Sequence, residues 1–120
     1  MQRKIRYDLS KFSDCHDQDS NQIMAFTIRT TDGEDETYAA KRAESKGTAM
    51  TEELIRFSLV SYEIKGQGQT NQVVDIKHPF EAFDKWSTKI RNFVVAAWKK
   101  TATPDESEIA DFFKGATDVE

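Results

Sequence analysis

Only one of the 120 residues is a cysteine, so no internal disulfide can form, and such usage fits a reducing compartment. Histidine is nearly as scarce. His16 and His78 are the only two, and neither a CxxC nor an HxxxH pair exists from which a zinc site could draw separated sets of ligands. Nowhere do eighteen apolar residues run together, which excludes a membrane-spanning helix. The opening MQRKIRYDLS lacks the apolar stretch of a secretion signal. Gly66-x-Gly68 lacks the third glycine and the strand-to-helix setting of a dinucleotide loop. Hydrophobic residues make up 38% of the chain and charged residues 32%, enough for one modest core in one domain under a well-solvated surface. A net charge of −4 supplies no global attraction to nucleic acid or to anionic membranes.

What is present is charge in blocks and one aromatic stretch. Residues 1–13 are basic through Arg3, Lys4, Arg6 and Lys11, residues 14–36 are acidic, residues 77–100 are basic, and residues 101–120 are acidic again. Such alternation suits acidic segments lying near the basic stretch, within one fold or between copies. The stretch is His78–Thr101, which holds both tryptophans. Phe80, Phe83, Trp86, Ile90, Phe93, Val94, Ala97 and Trp98 recur there at three- and four-residue steps, predicting one long helix over 79–101 with Pro79 at its first position.

Around this spine the pattern predicts an α+β fold. Ile5, Tyr7 and Leu9 alternate with Lys4, Arg6 and Asp8, and Ile23–Thr30 alternates again, so residues 4–30 read as a β-hairpin around the polar loop Ser13–Gln22. A helix over Asp35–Lys46 follows, closed by Gly47, and Thr51 can cap a second helix running to about Val60. Tyr62–Lys65 and Val73–Lys77 form a small second hairpin around KGQGQTNQ. Thr103 as N-cap, Pro104 and Glu106 predict a capping box for a short last helix through Ile109, Phe112 and Phe113 to Gly115. The expected whole is a single domain over 1–115, with hairpin 4–30, a helical part 35–115 holding about four helices, and a flexible tail at 116–120.

No candidate for chemistry withstands its spacing. Asp14-Cys15-His16-Asp17-Gln18-Asp19 gathers metal-capable side chains, but neighbours in a loop splay apart. Asp17-x-Asp19-x-Asn21 opens like a calcium loop, yet Gln22 and Ile28 stand where glycine and glutamate are needed. Adjacency of Cys15 and His16 does not make a catalytic dyad. The chain therefore reads as non-enzymatic, with no catalytic, cofactor-binding or metal-binding residue. Lys85, Lys89, Arg91, Lys99 and Lys100 accompany the aromatics of the long helix, but core spacing and the acidic tail weigh against nucleic acid. The apolar arc widens toward Val94–Trp98, beyond what the short remaining elements can cover. Phe83, Trp86, Phe93, Val94 and Trp98 are accordingly the candidate contacts with another protein or a second copy of this chain. On that reading Trp98→Ala weakens partner binding more than it lowers stability.

The order of these elements resembles the small tail assembly chaperones of tailed bacteriophages and the related small baseplate-hub proteins. The resemblance spans residues 23–115: the β-like Ala25–Thr30, the turn and acids Thr31–Glu36, a helix, Thr51–Val60, the turn Tyr62–Gly66, then the aromatic helix before a proline-led acidic one. The basic N-terminal strand and the DCHDQDSNQ loop depart from the chaperone pattern. The resemblance implies a chaperone that binds apolar segments of the tape-measure protein or another tail protein in the host cytoplasm. Its alternatives are a permanent component of the tail or baseplate hub in the virion, and a small regulatory or inhibitor protein that binds a host factor.

Overall fold

The computed structural model describes residues 3–68, 70–116 and 118. Strand β1 (Lys4–Asp8) stops short of Phe12 because the chain turns there: the Asp8 carboxylate accepts the Ser10 N–H at 2.8 Å, and the Phe12 N–H donates to Leu9. Strand β2 (Ile23–Arg29) returns antiparallel, with Tyr7 opposite Phe26 and Ile5 opposite Ile28. Helices α1 (Gly33–Lys46) and α2 (Met50–Ser58) follow, and the chain re-enters the sheet as β3 (Leu59–Ile64) and β4 (Gln72–Asp75). β3 pairs antiparallel with both β2 and β4, giving the order β1-β2-β3-β4. The protein is thus α+β, and the two hairpins of the sequence reading are halves of one four-stranded antiparallel sheet.

Register decides which face is buried. Tyr7, Phe26, Tyr62 and Val74 lie side by side across the strands on one face, and Arg6, Thr27, Ser61 and Asp75 on the other. The first face carries the core, in which Phe26, Ile28 and Leu59 pack with Ile90, Val94 and Ala97 of helix α3 (Thr88–Ala102). Each of these side chains larger than alanine contributes about 1.5–3 kcal/mol through burial. A second cluster, Ala39, Leu54 and Phe57, joins α1 to α2, and Trp98 packs against both clusters.

The aromatic stretch is not one helix. Glu81–Lys85 forms a 3-10 turn, Trp86 and Ser87 are extended, and α3 begins only at Thr88. The cause is tertiary. Ser87 donates its backbone N–H to the His16 carbonyl (2.9 Å) and its hydroxyl to the Asp14 carbonyl (2.7 Å), and Asp17 bridges to Trp86 in β fashion. Those bonds to the 13–22 loop hold two residues out of the helical ladder that their apolar spacing allowed. Pro79 accordingly precedes the 3-10 turn instead of opening a long helix.

Caps shift in smaller ways. Asp32 and Asp35 form a capping box that starts α1 two residues early, and Gly47 closes it with φ 71°, as the glycine there predicted. α2 begins after Ala49, without a side-chain cap from Thr51. In α4 (Glu106–Lys114) the capping box is Asp105 with Glu108 instead of Thr103 with Glu106, since Thr103 is taken as the C-cap of α3. The tail expected at 116–120 falls mostly outside the described residues.

One ion pair ties the sheet to α1. Both Nη atoms of Arg29 donate to the Asp35 carboxylate, at 2.8 and 2.9 Å, and the Asp32 N–H donates to it at 2.9 Å. The Arg29 hydrogen bonds hold the Asp35 carboxyl below its ordinary range, against the opposing effect of burial. A folded value below the unfolded one means that this stabilisation is complete above the ordinary aspartate range and is lost as pH falls through the lowered value. Asp35→Asn is expected to cost about 1–2 kcal/mol at neutral pH. A urea-unfolding series from neutral pH into the acid range should then show a flatter acid limb than wild type, and an identical limb would remove the pair from the account.

Candidate protein-binding surface

Helix α4 is well capped and stands at the surface. Its capping box satisfies the N-terminal donors, with Glu108 N–H to Asp105 at 2.8 Å and Asp105 N–H to Glu108 at 3.0 Å. None of its residues is buried. Ile109, Phe112 and Phe113, at helical steps of three and four, form a single stripe and are 42%, 74% and 67% exposed. The two phenylalanine rings meet edge to face at 5.3 Å, so they cover each other instead of a core. By helical geometry Glu106 and Glu108 flank the stripe, while Asp111 lies on the back.

At the root of α4 opens a groove of about 830 Å³. Its floor is the edge strand β1 through Ile5 and Tyr7, both half-buried, and its walls carry Arg3, Lys99 and Lys100. The connector Thr103–Asp105 lines one end, and Glu108 is the one residue of α4 that reaches it. β1 is an outer strand, so α3 covers its apolar face only in part.

The aromatic residues singled out from sequence lie elsewhere. Phe83 (7% exposed), Trp86 (4%) and Val94 (0%) belong to the main core. Phe93 is half-buried with its ring 4.8 Å from that of Phe12, and Trp98 is half-buried between the two clusters, its indole N–H 3.4 Å from the Thr31 hydroxyl. Truncating Trp98 therefore removes packing from both clusters, which undercuts its use as a variant that spares stability. The sheet, broader than two separate hairpins, covers most of the apolar arc at Val94–Trp98. The exposed aromatics had a legible signal nonetheless. Ile109, Phe112 and Phe113 sit on a helix bracketed by Pro104 and Gly115, with no later element to cover them among the described residues.

The 13–22 loop is ordered by the chain's own atoms. Asp17 Oδ1 accepts the N–H groups of Asp19 (2.9 Å) and Asn21 (3.0 Å), and Cys15 is buried beneath the loop, where desolvation raises the thiol's pKa. The Cys15 side chain points from the loop into the main core cluster, with its Sγ 3.6 Å from the Ser13 carbonyl.

A second polar centre joins α1, α2 and the 3-10 turn. Glu53, wholly buried, has Oε2 3.2 Å from Arg56 Nε and Oε1 3.6 Å from Arg42 Nε and 3.8 Å from Lys46 Nζ. Outside this ring Glu81 pairs with Arg42 and Lys46, and Asp84 with Arg56, so three cations meet three anions. The Arg56 guanidinium also lies over the Phe83 ring at 5.3 Å. With cations and anions matched, the centre fastens elements together and presents no excess charge to a ligand.

Among the described residues, no group of three or more His, Cys, Asp or Glu is placed to hold a metal ion, and no helix is long and apolar enough to cross a membrane. Comparison with protein-family models, curated proteins and solved structures gives no match to this chain.

Proposed function

We propose that this protein is a non-enzymatic binding module whose α4 stripe receives an apolar, helical segment of another protein. The observation that carries the reading is Phe112 and Phe113, held on a capped helix with most of their surface in water. A short helix does not persist on propensity alone, and exposed aromatic surface of this kind serves contact with a partner. An amphipathic helix laid against the stripe would bury both rings and leave Glu106 and Glu108 at a polar rim. The resemblance to tail assembly chaperones supplies the partner class. It is the tape-measure protein, whose apolar helices need cover until tube subunits enclose them, and the host cytoplasm is where that would occur.

The test is titration of the protein with synthetic helical peptides spanning the tape-measure protein of the same genome, followed by calorimetry. Wild type should bind at least one apolar segment, and the variant Phe112→Ser/Phe113→Ser should bind it at least tenfold more weakly, a loss of about 1.4 kcal/mol or more. Both positions are exposed, so the variant keeps its core. Equal binding by the two proteins would sink the reading. Presence of the chain at fixed stoichiometry in purified particles would assign it to the hub instead.

A further inference from the structure

The α4 stripe and the basic groove are unequal in charge and alike in being uncovered. α4 with its cap carries Asp105, Glu106, Glu108 and Asp111 against Lys114 alone. The groove sets Arg3, Lys99 and Lys100 around the apolar floor of Ile5 and Tyr7, with Asp105 and Glu108 at its α4 end. No ion pair among the described residues engages Arg3, Lys99 or Lys100. We propose that a second copy of this chain supplies the occupant: α4 of each copy lies in the groove of the other, in a reciprocal dimer.

The chain's own α4 leaves the groove open, so a partner's helix can enter it. α3 ends at Ala102 and α4 starts at Glu106, so only three residues separate them, and those three form part of the groove wall. α4 leaves the groove at the connector with its stripe unburied, and only Glu108 of the helix lines the groove. A two-fold axis beside the connectors carries the α4 of one copy across to the other. Such an interface is isologous, so each contact is made twice. Ile109, Phe112 and Phe113 then meet Ile5 and Tyr7, while Glu106 and Glu108 approach Lys99, Lys100 and Arg3. This arrangement is independent of the tail-assembly reading. If both hold, a partner segment competes with the second copy for the same stripe, and the dimer is the form that keeps the stripe out of water.

Sedimentation equilibrium of the protein alone, at about 1–100 μM and low salt, tests it with a charge-exchange pair. Groove variant Lys99→Glu/Lys100→Glu and helix variant Glu106→Lys/Glu108→Lys each place like charges in both halves of their own homodimer. Mixed together, they restore opposite charges in both halves. Wild type is expected to be dimeric, each variant monomeric or at least tenfold weaker in association, and the equimolar mixture dimeric again. Phe112→Ser/Phe113→Ser, which leaves the capping box untouched, is expected to be monomeric. A monomeric wild type at about 100 μM overturns the proposal, whatever the peptides above do. So does a dimer that Phe112→Ser/Phe113→Ser leaves intact, or a charge pair that fails to associate on mixing while circular dichroism shows both variants fully helical. Loss of helix content in the helix variant shifts the decision to the serine variant.

Discussion

Trp86→Ala is expected to lower the stability of the protein by about 3–5 kcal/mol, the range for emptying a large buried aromatic site. Trp86 is 4% exposed, and three rings pack against it edge-on: Tyr62 of β3 at 5.2 Å, Phe80 at 5.5 Å and Phe83 at 5.7 Å. Tyr62 and Phe80 lie 5.9 Å apart, so the four rings form one connected group that joins the sheet to the 3-10 turn. Removing the central ring exposes all three neighbours to a cavity that the sheet cannot collapse to fill, because β3 is held on both sides. Trp86 also occupies the break between the 3-10 turn and α3, where Asp17 bridges to it, so the loss reaches the 13–22 loop. In a thermal scan the variant should melt more than about 10 °C below wild type. Trp86→Phe, which keeps a ring in place, should lose less than half as much. A melting point within a few degrees of wild type would mean that this aromatic group does not hold the core.

Glu53→Ala carries the second large effect, an expected loss of about 2–4 kcal/mol by urea unfolding. Removing one partner of a buried ion pair normally costs about 3–5 kcal/mol, because the other charge is left without compensation. Here the orphaned cations retain other anions. Arg42 and Lys46 hold Glu81, and Arg56 holds Asp84, which sets the expectation below the usual range. Neither carboxylate oxygen of Glu53 has a hydrogen bond of good geometry among the described residues, so its contribution is that of charge matching more than of directed bonds. The double variant Glu53→Met/Arg56→Met should recover at least about 1 kcal/mol of the sum of the single losses, since a buried pair replaced by apolar groups of similar volume is often neutral. Strict additivity of the two single losses would remove the pair from the account of stability.

These two residues show what the sequence could and could not convey. Trp86 stood out as an aromatic at helical spacing, and its burial followed from that spacing. Its helix did not. Periodicity records which side chains want cover, and Trp86 and Ser87 satisfy that demand in extended backbone because the 13–22 loop bonds to them across some seventy residues of chain. Glu53 stands two residues after Thr51 in the first turn of α2, and only the folded chain puts α1 and the 3-10 turn around it. Cys15 likewise lies in a polar loop by sequence, and the core cluster that buries it is drawn largely from residues distant in sequence.

The candidate surface divides in the same way. Ile109, Phe112 and Phe113 are apolar at steps that any helix would place on one side, and the bracketing by Pro104 and Gly115 could be read directly. Whether that side faces a core or water was not decided locally, because it depends on where α3 leaves the chain relative to the sheet. Phe83, Trp86 and Val94 share a wide apolar arc that by spacing alone offers a contact surface, and the merging of two hairpins into one sheet supplies its cover.

The amino-acid pattern by itself pointed to the strand segments in outline, the helix stops at Gly47 and Gly115 and the mixed α+β class. All of these are signalled by residue patterns a few positions long. Strand order, the break before Thr88, the buried charge centre and the freedom of α4 were decided by the tertiary structure alone. Each of them is a contest between long-range partners that local periodicity does not record.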